Sequence, residues 1–457
     1  LAIRSSSLLE DSSHQPFAGV YATYMLANDH PDLEVRLRRL LEAIKLVYAS
    51  TYHRGAKAYV ASTPSTIEDE RMAVVIQDLV GDEVNGRFYP IISGAARSRN
   101  HYPIEPLVAE DGIAAICIGL GRQVSAGGKC LRYSPGQPRR VHQFHSNQAI
   151  LDTSQRSFFA IPMEQEDGAV RPTEEGNLLN LGLAAAEEDG CLALVGSTYV
   201  VSDDRIVDSL AVDGGPRVVT FAPVLKHGRF PLSEILSHVL NTCQDYIGSP
   251  VELEFAMSID QDSGTQRFAI LQVRPMMEES VDIDIDLADI DRSKAMCICS
   301  QSLGNGVIEG IKDVVYVHPE RLDRMRTMDL TSEIEAIDAV LRAEDRPYVL
   351  IGPGRWGSSD PSLGIPVQWD QIMGSKAIVE VPMSDIHVEP SQGTHFFQNI
   401  ITFNIGYLTM GADDFVDWEW LDSIEASAES GALRHVSLNK PIKVILDSRD
   451  SEAIITK

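Results

Sequence analysis

The chain has 457 residues, of which 44% are hydrophobic and 23% charged, with a net charge of −27 and an isoelectric point of about 4.8. Its length predicts two or three domains, and its negative charge argues against nucleic acid and anionic membranes as partners. No apolar run approaches the roughly 20 residues that a membrane span needs. Six scattered cysteines favour reduced thiols, and therefore a cytoplasmic protein, over a disulfide framework.

The chain opens on Leu1-Ala2-Ile3 without a methionine, and we therefore expect a fragment of a longer parent chain with other domains. Arg4 and the three serines after it supply a cation and hydroxyls at a strand end, which suits either phosphate binding or a solvated turn.

Residues 33–50 carry apolar side chains at helical spacing and predict an amphipathic helix. Residues 72–79, MAVVIQDL, predict a buried strand.

Residues 88–103, FYPIISGAARSRNHYP, predict a short loop of small residues. In this loop Ser93 and Gly94 precede Arg97, so that backbone N–H groups and a cation could close over phosphates. A simple hairpin connection without a ligand is the alternative.

Residues 251–276 predict two strands joined by a polar turn. Because strand side chains alternate between faces, Glu252 and Glu254 share one face of the first strand, and Gln272 and Arg274 share one face of the second. If these faces coincide, the site suits Mg²⁺ bridging phosphates, with the arginine as a planar phosphate donor. An exposed face with cross-strand salt bridges is the alternative.

Acidic residues 280–292 predict a linker between a first domain, residues 1–279, and a second α/β domain, residues 293–457. In the second domain, residues 303–318 predict a hairpin with glycine turns. Residues 351–369, rich in glycine, proline and tryptophan, predict a structured loop that carries function.

Several segments resemble the nucleotide-binding domain of phosphoenolpyruvate synthase and pyruvate phosphate dikinase. They are IRSSSLLEDS with PFAGVYATYM, VYASTYHRGAKAY, VVIQDLVG, SGAARSRN, DGIAAICIGLG, and LEF with LQVRP. Their common order from Ile3 to Pro275 is far more specific than any one of them. The resemblance implies an α+β, ATP-grasp-like domain, incomplete at its N-terminus, in which ATP lies between two subdomains.

The resemblance also implies ATP and Mg²⁺ as cofactors and assigns roles to individual residues. Arg4 and Arg274 would contact phosphates as catalytic residues, and Glu252 and Glu254 would carry Mg²⁺. The cofactor-binding residues would be Arg4, Gln77, Ser93, Gly94, Arg97, Gln272 and Arg274.

The chain departs from the family pattern at several of these positions. Glu252 stands where aspartate is common, and Arg97-Ser98 stands where the phosphate segment usually has Phe-Thr. Arg122 stands where a glutamate is expected after Gly-Leu-Gly. The family's upstream portion with a phosphate-binding lysine, and its carboxy-terminal barrel, have no counterpart in this sequence.

The second domain is compared with the family's swivelling domain, which carries a phosphohistidine. Residues 304–317, GNGVIEGIKDVVYV, resemble the opening of that domain, and residues 377–397 lie about where its phosphohistidine motif would fall. One hypothesis is therefore a diverged swivelling domain with His395 as the phosphoryl carrier. A structural histidine at the start of an apolar helix is the alternative.

Together these implications predict an ATP-binding, Mg²⁺-dependent phosphotransferase that forms AMP and passes a phosphoryl group to a carrier histidine or a small-molecule acceptor. A nucleotide-binding regulatory module without catalysis is the competing hypothesis. A third is a kinase for a different acceptor, with residues 351–369 forming the acceptor pocket.

Overall fold

The computed structural model of the chain describes residues 1–8, 10, 19–61, 66, 70–163, 168–212, 215–260, 263–276, 287, 290–323, 326–383, 394–411, 414–447 and 452–457. The chain separates into two compact units, Leu1–Met276 and Met277–Lys457. Most of the predicted acidic linker, residues 280–292, lies outside the described residues. Within the described ranges, no helix combines the length and the apolar character needed to cross a membrane.

The strands of the first unit are mostly short. They are β1 (Ala2–Ser7), β2 (Thr23–Met25), β3 (Met72–Gln77), β4 (Asp82–Val84), β5 (Arg87–Tyr89), β6 (Ile92–Arg97), β7 (Ile113–Cys117), β8 (Leu131–Tyr133), β9 (Ser157–Pro162), β10 (Leu179–Gly182), β11 (Gly196–Val200), β12 (Arg205–Val207), β13 (Arg217–Val219), β14 (Val251–Ile259) and β15 (Gln266–Pro275). They form antiparallel sheets with the orders β2-β1-β3, β10-β9-β5-β4, β12-β11-β13 and β15-β14-β6-β7-β8.

The helices of the first unit accompany these sheets. They are α1 (Leu33–Ser50), α2 (Arg54–Ala61), α3 (Arg122–Ser125), α4 (Asn147–Thr153), α5 (Leu183–Glu188), α6 (Ala222–Leu225) and α7 (Leu232–Ile247). The predicted helix over residues 33–50 is confirmed as α1. It begins at Asp32, whose side chain accepts a hydrogen bond from the Glu34 backbone N–H at 2.9 Å. Its buried Ala43 and Val47 pack with Ile3 of β1.

The strand predicted over residues 72–79 is present as β3, but the prediction that it is buried is wrong. Val75 and Ile76 are 41% and 47% exposed. The reason is topological, because β3 lies at the edge of its three-stranded sheet and pairs only with β1 among the described strands.

The five-stranded sheet β15-β14-β6-β7-β8 has one face on the main hydrophobic core of the first unit. That face carries fully or almost fully buried apolar side chains from neighbouring strands, namely Ile92, Ala96, Ala114, Ile116, Leu131, Leu253, Phe255 and Met257. Side chains that alternate with these lie on the opposite face of the same strands. Because the core covers one face of this sheet, only side chains on the opposite face are available to form a site.

The loop predicted at Ser93, Gly94 and Arg97 is wrong, because these residues form strand β6 in the middle of that sheet. Strand β6 pairs with β14 on one side and β7 on the other, so the ladders occupy its backbone N–H groups. The small residues serve close packing, since a Cβ on Gly94 would lie 2.1 Å from the carbonyl oxygen of Ala115. A phosphate-binding loop of backbone N–H groups is therefore absent at these three residues.

The second unit combines parallel and antiparallel strands with a few helices. Its strands are β16 (Ala295–Cys299), β17 (Gln301–Leu303), β18 (Gly306–Val317), β19 (Tyr348–Pro353), β20 (Arg355–Trp356), β21 (Gly364–Ile365), β22 (Ser375–Val381), β23 (Gly406–Thr409), β24 (Phe415–Val416), β25 (Ala426–Ser430), β26 (Leu433–Asp447) and β27 (Glu452–Thr456), and its helices are α8 (Thr327–Ala343), α9 (His395–Thr402) and α10 (Trp418–Ser423). Most of the strands form one sheet in the order β17-β23-β22-β19-β18-β26-β27-β16-β24, with β25 beside β26. The pairings among β18, β19, β22 and β23 are parallel.

The hairpin predicted over residues 303–318 is wrong, because most of this segment is the single strand β18. Its register against β26 shifts between Ile308 and Ile311 and again before Asp313. Gly310, at a φ of +84°, lies in this irregular part of the strand. The glycines therefore mark bulges within one strand rather than a reversal of the chain.

A buried carboxylate on β18 connects strands of the second unit. Asp313 Oδ1 accepts hydrogen bonds from Arg346 Nη2 at 2.6 Å and Ser437 Oγ at 2.8 Å, and His435 Nε2 lies at 2.8 Å. Burial alone would raise the pKa of Asp313, but its hydrogen bonds to His435, Arg346 and Ser437 lower that pKa to about 2. The ionised form of Asp313 is therefore favoured by folding.

Replacing Asp313 by asparagine should lower the free energy of unfolding of the second unit by on the order of 2 kcal/mol at pH 7. Because the folded pKa, about 2, lies below the ordinary value of 3.8, the stabilisation is complete above about pH 4 and is lost as the pH falls toward 2. Urea unfolding followed by tryptophan fluorescence measures this, since all four tryptophans lie in residues 277–457.

The control for this prediction is Glu309→Gln, since Glu309 forms an exposed ion pair with Lys443 at 2.7 Å. Its replacement should change stability by less than about 1 kcal/mol. A difference between wild type and Asp313→Asn that stays constant from pH 7 to pH 2 would contradict the assigned role of the carboxylate.

Candidate functional site

The pairing of β14 with β15 places four polar side chains on one face. Glu252 lies directly opposite Arg274, and Glu254 lies opposite Gln272. On the other side of β14, Arg97 of β6 lies opposite Glu252. Directly opposed residues of antiparallel strands share a face, so these side chains face away from the hydrophobic core. The convergence predicted from the alternation of polar and apolar residues is confirmed, and Arg97 joins it from the neighbouring strand.

The alternation along β15 is interrupted by a β-bulge. Gln272 pairs with Glu254, but the next partner, Phe255, pairs with Ile270, so the ladder passes over Leu271. The carbonyl oxygen of Leu271 accepts a long hydrogen bond from Gln77 Nε2, at 3.5 Å. The bulge explains why the polar pattern of this strand is looser than that of β14, and it brings Gln77 beside the site.

Two guanidinium groups hold Glu252 between them. Oε1 accepts hydrogen bonds from Arg274 Nη2 at 2.5 Å and Nε at 3.1 Å, and Oε2 accepts one from Arg97 Nε. The side chains of Arg97, Glu252 and Arg274 are 3%, 6% and 27% exposed. Burial alone would raise the pKa of Glu252, but the charges and hydrogen bonds of Arg97 and Arg274 lower it to about 2. We refer to these three residues as the Arg97–Glu252–Arg274 triad.

Arg4 reaches the same face from a different sheet. Its Nη2 donates a hydrogen bond of 2.7 Å to Gln272 Oε1. Arg4 lies on β1 and Gln77 on β3, two strands that pair with each other. The structure thus brings together most of the predicted site residues, namely Arg4, Gln77, Arg97, Glu252, Glu254, Gln272 and Arg274.

Ser93 and Gly94 are not part of this cluster. Ser93 lies opposite Ala256, four residues along β6 from Arg97, which is about 13 Å at the usual rise of a strand. Its hydroxyl donates to the carbonyl oxygen of Gly119 at 2.6 Å. Gly94 lies opposite the core residue Phe255. The positions of both residues suit packing within the sheet.

His395 belongs to the second unit and is the first residue of α9. The helix begins after Thr394, whose hydroxyl accepts a hydrogen bond from the Phe397 backbone N–H at 3.1 Å. The predicted helix start is therefore confirmed. Residues 384–393, directly before it, lie outside the described residues. The role of His395 as a phosphoryl carrier stays a prediction.

Residues 351–369 pack into the second unit. Trp356 is 1% exposed, and its indole Nε1 donates to the carbonyl oxygen of Val379 at 3.3 Å. Its backbone N–H donates to Glu380 at 2.9 Å, and Arg355 is only 4% exposed. The structured loop predicted here is therefore largely core, and its arginine is not presented to solvent.

The residues predicted to hold Mg²⁺ fit the ion only in part. Both oxygens of Glu252 already accept hydrogen bonds from guanidinium groups, so the carboxylate is occupied by an ion triad. The role of Glu252 as a Mg²⁺ ligand stays a prediction, and in this structure Glu252 instead holds two arginines. Glu254, half-buried on the same face, stays a predicted ligand. In the described ranges, no three His, Cys, Asp or Glu side chains are grouped to hold a metal ion.

The contact between Arg97 and Glu252 is the part of the site that sequence reasoning missed. The two residues are 155 positions apart, and the prediction treated them as members of separate features. Arg97 itself was the signal that could have revealed this contact. If the run of small residues before it is a central strand, Arg97 is buried, and a buried charge needs a partner of opposite charge.

Comparison with known protein families identifies the family of the first unit. The family model described as "Pyruvate phosphate dikinase, AMP/ATP-binding domain" matches residues 1–294. No curated protein matches the chain. The matched residues include the whole first unit, and with it every residue of the polar cluster.

Proposed function

Because the chain belongs to the pyruvate phosphate dikinase AMP/ATP-binding domain family, we propose that its first unit binds ATP at the polar face of β14 and β15. The observation that supports this location is the convergence of Arg4, Gln272 and Arg274 on one face opposite the hydrophobic core. We propose an ATP-grasp-like arrangement around this face, as the family resemblance implies.

The polar cluster supplies what phosphoryl transfer requires from a protein, namely positioning and neutralisation of phosphate charge. Arg274 is anchored on Glu252 through Nε and Nη2, and its Nη1 has no hydrogen bond to any described residue. Nη1 can therefore donate to a phosphate oxygen. The side chain of Gln272 accepts a hydrogen bond from the Arg4 guanidinium at 2.7 Å. This bond holds a second cation on the same polar face as Arg274. We assign no step to Mg²⁺, because Glu252 is occupied by the two arginines.

We further propose a phosphotransferase of the synthase and dikinase type, which forms AMP and passes a phosphoryl group to a histidine or a small-molecule acceptor. His395, half-buried at the start of α9, is the candidate carrier in the second unit. The test uses ATP labelled separately at the β and γ phosphates, with AMP release and acid-labile label on the protein as readouts. Label that disappears in His395→Ala would support the carrier, and AMP formation with label retained in that variant would refute it.

A nucleotide-binding regulatory module is the second candidate function. The observation that favours it is the Arg97–Glu252–Arg274 triad, which occupies a carboxylate that the resemblance assigns to the metal. Tight ATP binding without AMP and without label on the protein would identify this function.

Replacing Arg274 by lysine should weaken ATP binding about tenfold or more, because an ammonium group cannot replace a planar fork that binds Glu252 and a phosphate together. Isothermal calorimetry with ATP measures this loss. The matched control is Arg267→Lys on the same strand, since Arg267 is exposed and lies opposite Ser258 at the far end of the hairpin. Wild-type affinity in Arg274→Lys would argue against the proposed location.

A further inference from the structure

We propose that Arg97 serves as a built-in cation at Glu252, so that ATP binding by the first unit requires no divalent metal ion at this carboxylate. The inference rests on the proposed function, since it concerns the charge balance of the same site. In this arrangement Glu252 is a positioning residue, which holds Arg97 and Arg274 in place rather than binding a metal.

The geometry of the triad is the first argument. A Mg²⁺ ligand must present an oxygen lone pair at 2.0–2.1 Å to an ion that gives up its water reluctantly. At Glu252, Arg97 Nε donates to Oε2, while Arg274 donates twice to Oε1. Arg97 is buried together with the carboxylate, since the side chains of Arg97 and Glu252 are 3% and 6% exposed. A metal ion at Oε1 would have to displace Arg274, which donates to that oxygen twice, and one at Oε2 would have to lie beside the buried guanidinium group of Arg97.

The two departures from the family pattern are the second argument, because they meet in one contact. By the resemblance described above, Arg97 stands where phenylalanine is usual, and Glu252 stands where aspartate is common. A buried arginine at position 97 needs an anionic partner, and the strand register places position 252 directly opposite it. The additional methylene of glutamate extends the carboxylate toward Arg97 while it still reaches Arg274. The two departures therefore meet in one ion pair.

The charge of the cluster is the third argument. The two arginines and one glutamate of the triad leave one net positive charge, Arg4 adds a second beside Gln272, and Glu254 on the same face cancels one, so these five side chains sum to +1. A chain with a net charge of −27 needs such local cations to hold a triphosphate. Arg97 contributes its charge permanently, whereas a metal ion contributes only when it is bound.

Calorimetric titration of the whole chain with ATP, once in excess Mg²⁺ and once in EDTA, tests the inference. We expect the two dissociation constants of the wild type to agree within about threefold. Binding that is tenfold or more weaker in EDTA, both in the wild type and in Glu254→Ala, would overturn the inference and leave the proposed function intact. A metal dependence that disappears in Glu254→Ala would place the ion at Glu254 and support the inference. Absence of ATP binding in both buffers would refute the proposed function and the inference with it.

The variant Arg97→Phe/Glu252→Asp restores the family pattern at both positions and provides the converse test. Its ATP binding should become dependent on Mg²⁺, with affinity at least about tenfold lower in EDTA. Electron paramagnetic resonance of Mn²⁺ gives a second readout, because the double variant should bind one more ion, at position 252, than the wild type does. Equal metal dependence in a folded double variant and in the wild type would overturn the inference. If circular dichroism shows that the double variant does not fold, the ATP titrations of the wild type in Mg²⁺ and in EDTA are the test of the inference.

Discussion

Replacing Glu252 by alanine should lower the free energy of unfolding of the first unit by about 3–5 kcal/mol, because it leaves two guanidinium charges without their shared anion. Arg97 has a side-chain exposure of only 3%, so water cannot replace the lost carboxylate there. Scanning calorimetry is the suitable measurement, since the first unit contains no tryptophan. Tryptophan fluorescence of the second unit serves as the internal reference.

The matched control is Glu254→Ala, two residues along the same strand and on the same face. Glu254 is only half-buried, so its removal should change the stability of the first unit by less than about 1 kcal/mol. Equal effects of the two replacements would contradict the view that the triad, rather than the strand as a whole, carries this stability.

Replacing Gly94 by alanine should destabilise the first unit by about 3 kcal/mol, because the new methyl group would overlap the backbone of the neighbouring strand. The added Cβ would lie 2.1 Å from the carbonyl oxygen of Ala115, which cannot move without disturbing the pairing of β6 with β7. The midpoint of thermal unfolding measures the change. ATP affinity at a temperature where the variant is folded should be nearly that of the wild type.

Gly55→Ala is the control for this second prediction. Apart from its chain neighbours and the backbone of its own helix, no atom lies within 4 Å of the position that its Cβ would occupy, and Gly55 is within helix α2. The replacement should be neutral or stabilise the unit by up to about 1 kcal/mol. If Gly94→Ala instead removed ATP binding from a fully stable protein, Gly94 would belong to the nucleotide site after all.

The hairpin of the candidate site could be predicted from sequence because strand side chains alternate with a period of two. Leu253 and Phe255 are fully buried in the core, so Glu252 and Glu254 must lie on the other face. Helix α1 could also be predicted from sequence, since apolar residues such as Val35, Ala43 and Val47 recur at helical spacing. The burial of Arg39 on the same face did not follow from that pattern.

The parts that could not be predicted depend on contacts between distant residues. The run Ser93–Arg97 has a loop-like composition, and only its position between β14 and β7 makes it a strand. The pairing of β6 with β14 also creates the ion pair between Arg97 and Glu252. In the second unit, the glycines of β18 indicated turns, but pairing with β26 on one side and β19 on the other keeps the chain extended.

Because of the bulge, Leu271 of β15 has no partner residue in β14. In a regular strand, loss of one residue turns the side chains beyond it to the opposite face. Deletion of Leu271 alone would keep Ile270 opposite Phe255 and Gln272 opposite Glu254, because the ladder already passes over Leu271. Related chains that differ in length within this hairpin strand should therefore differ at this point, where a residue can be gained or lost while both faces stay the same.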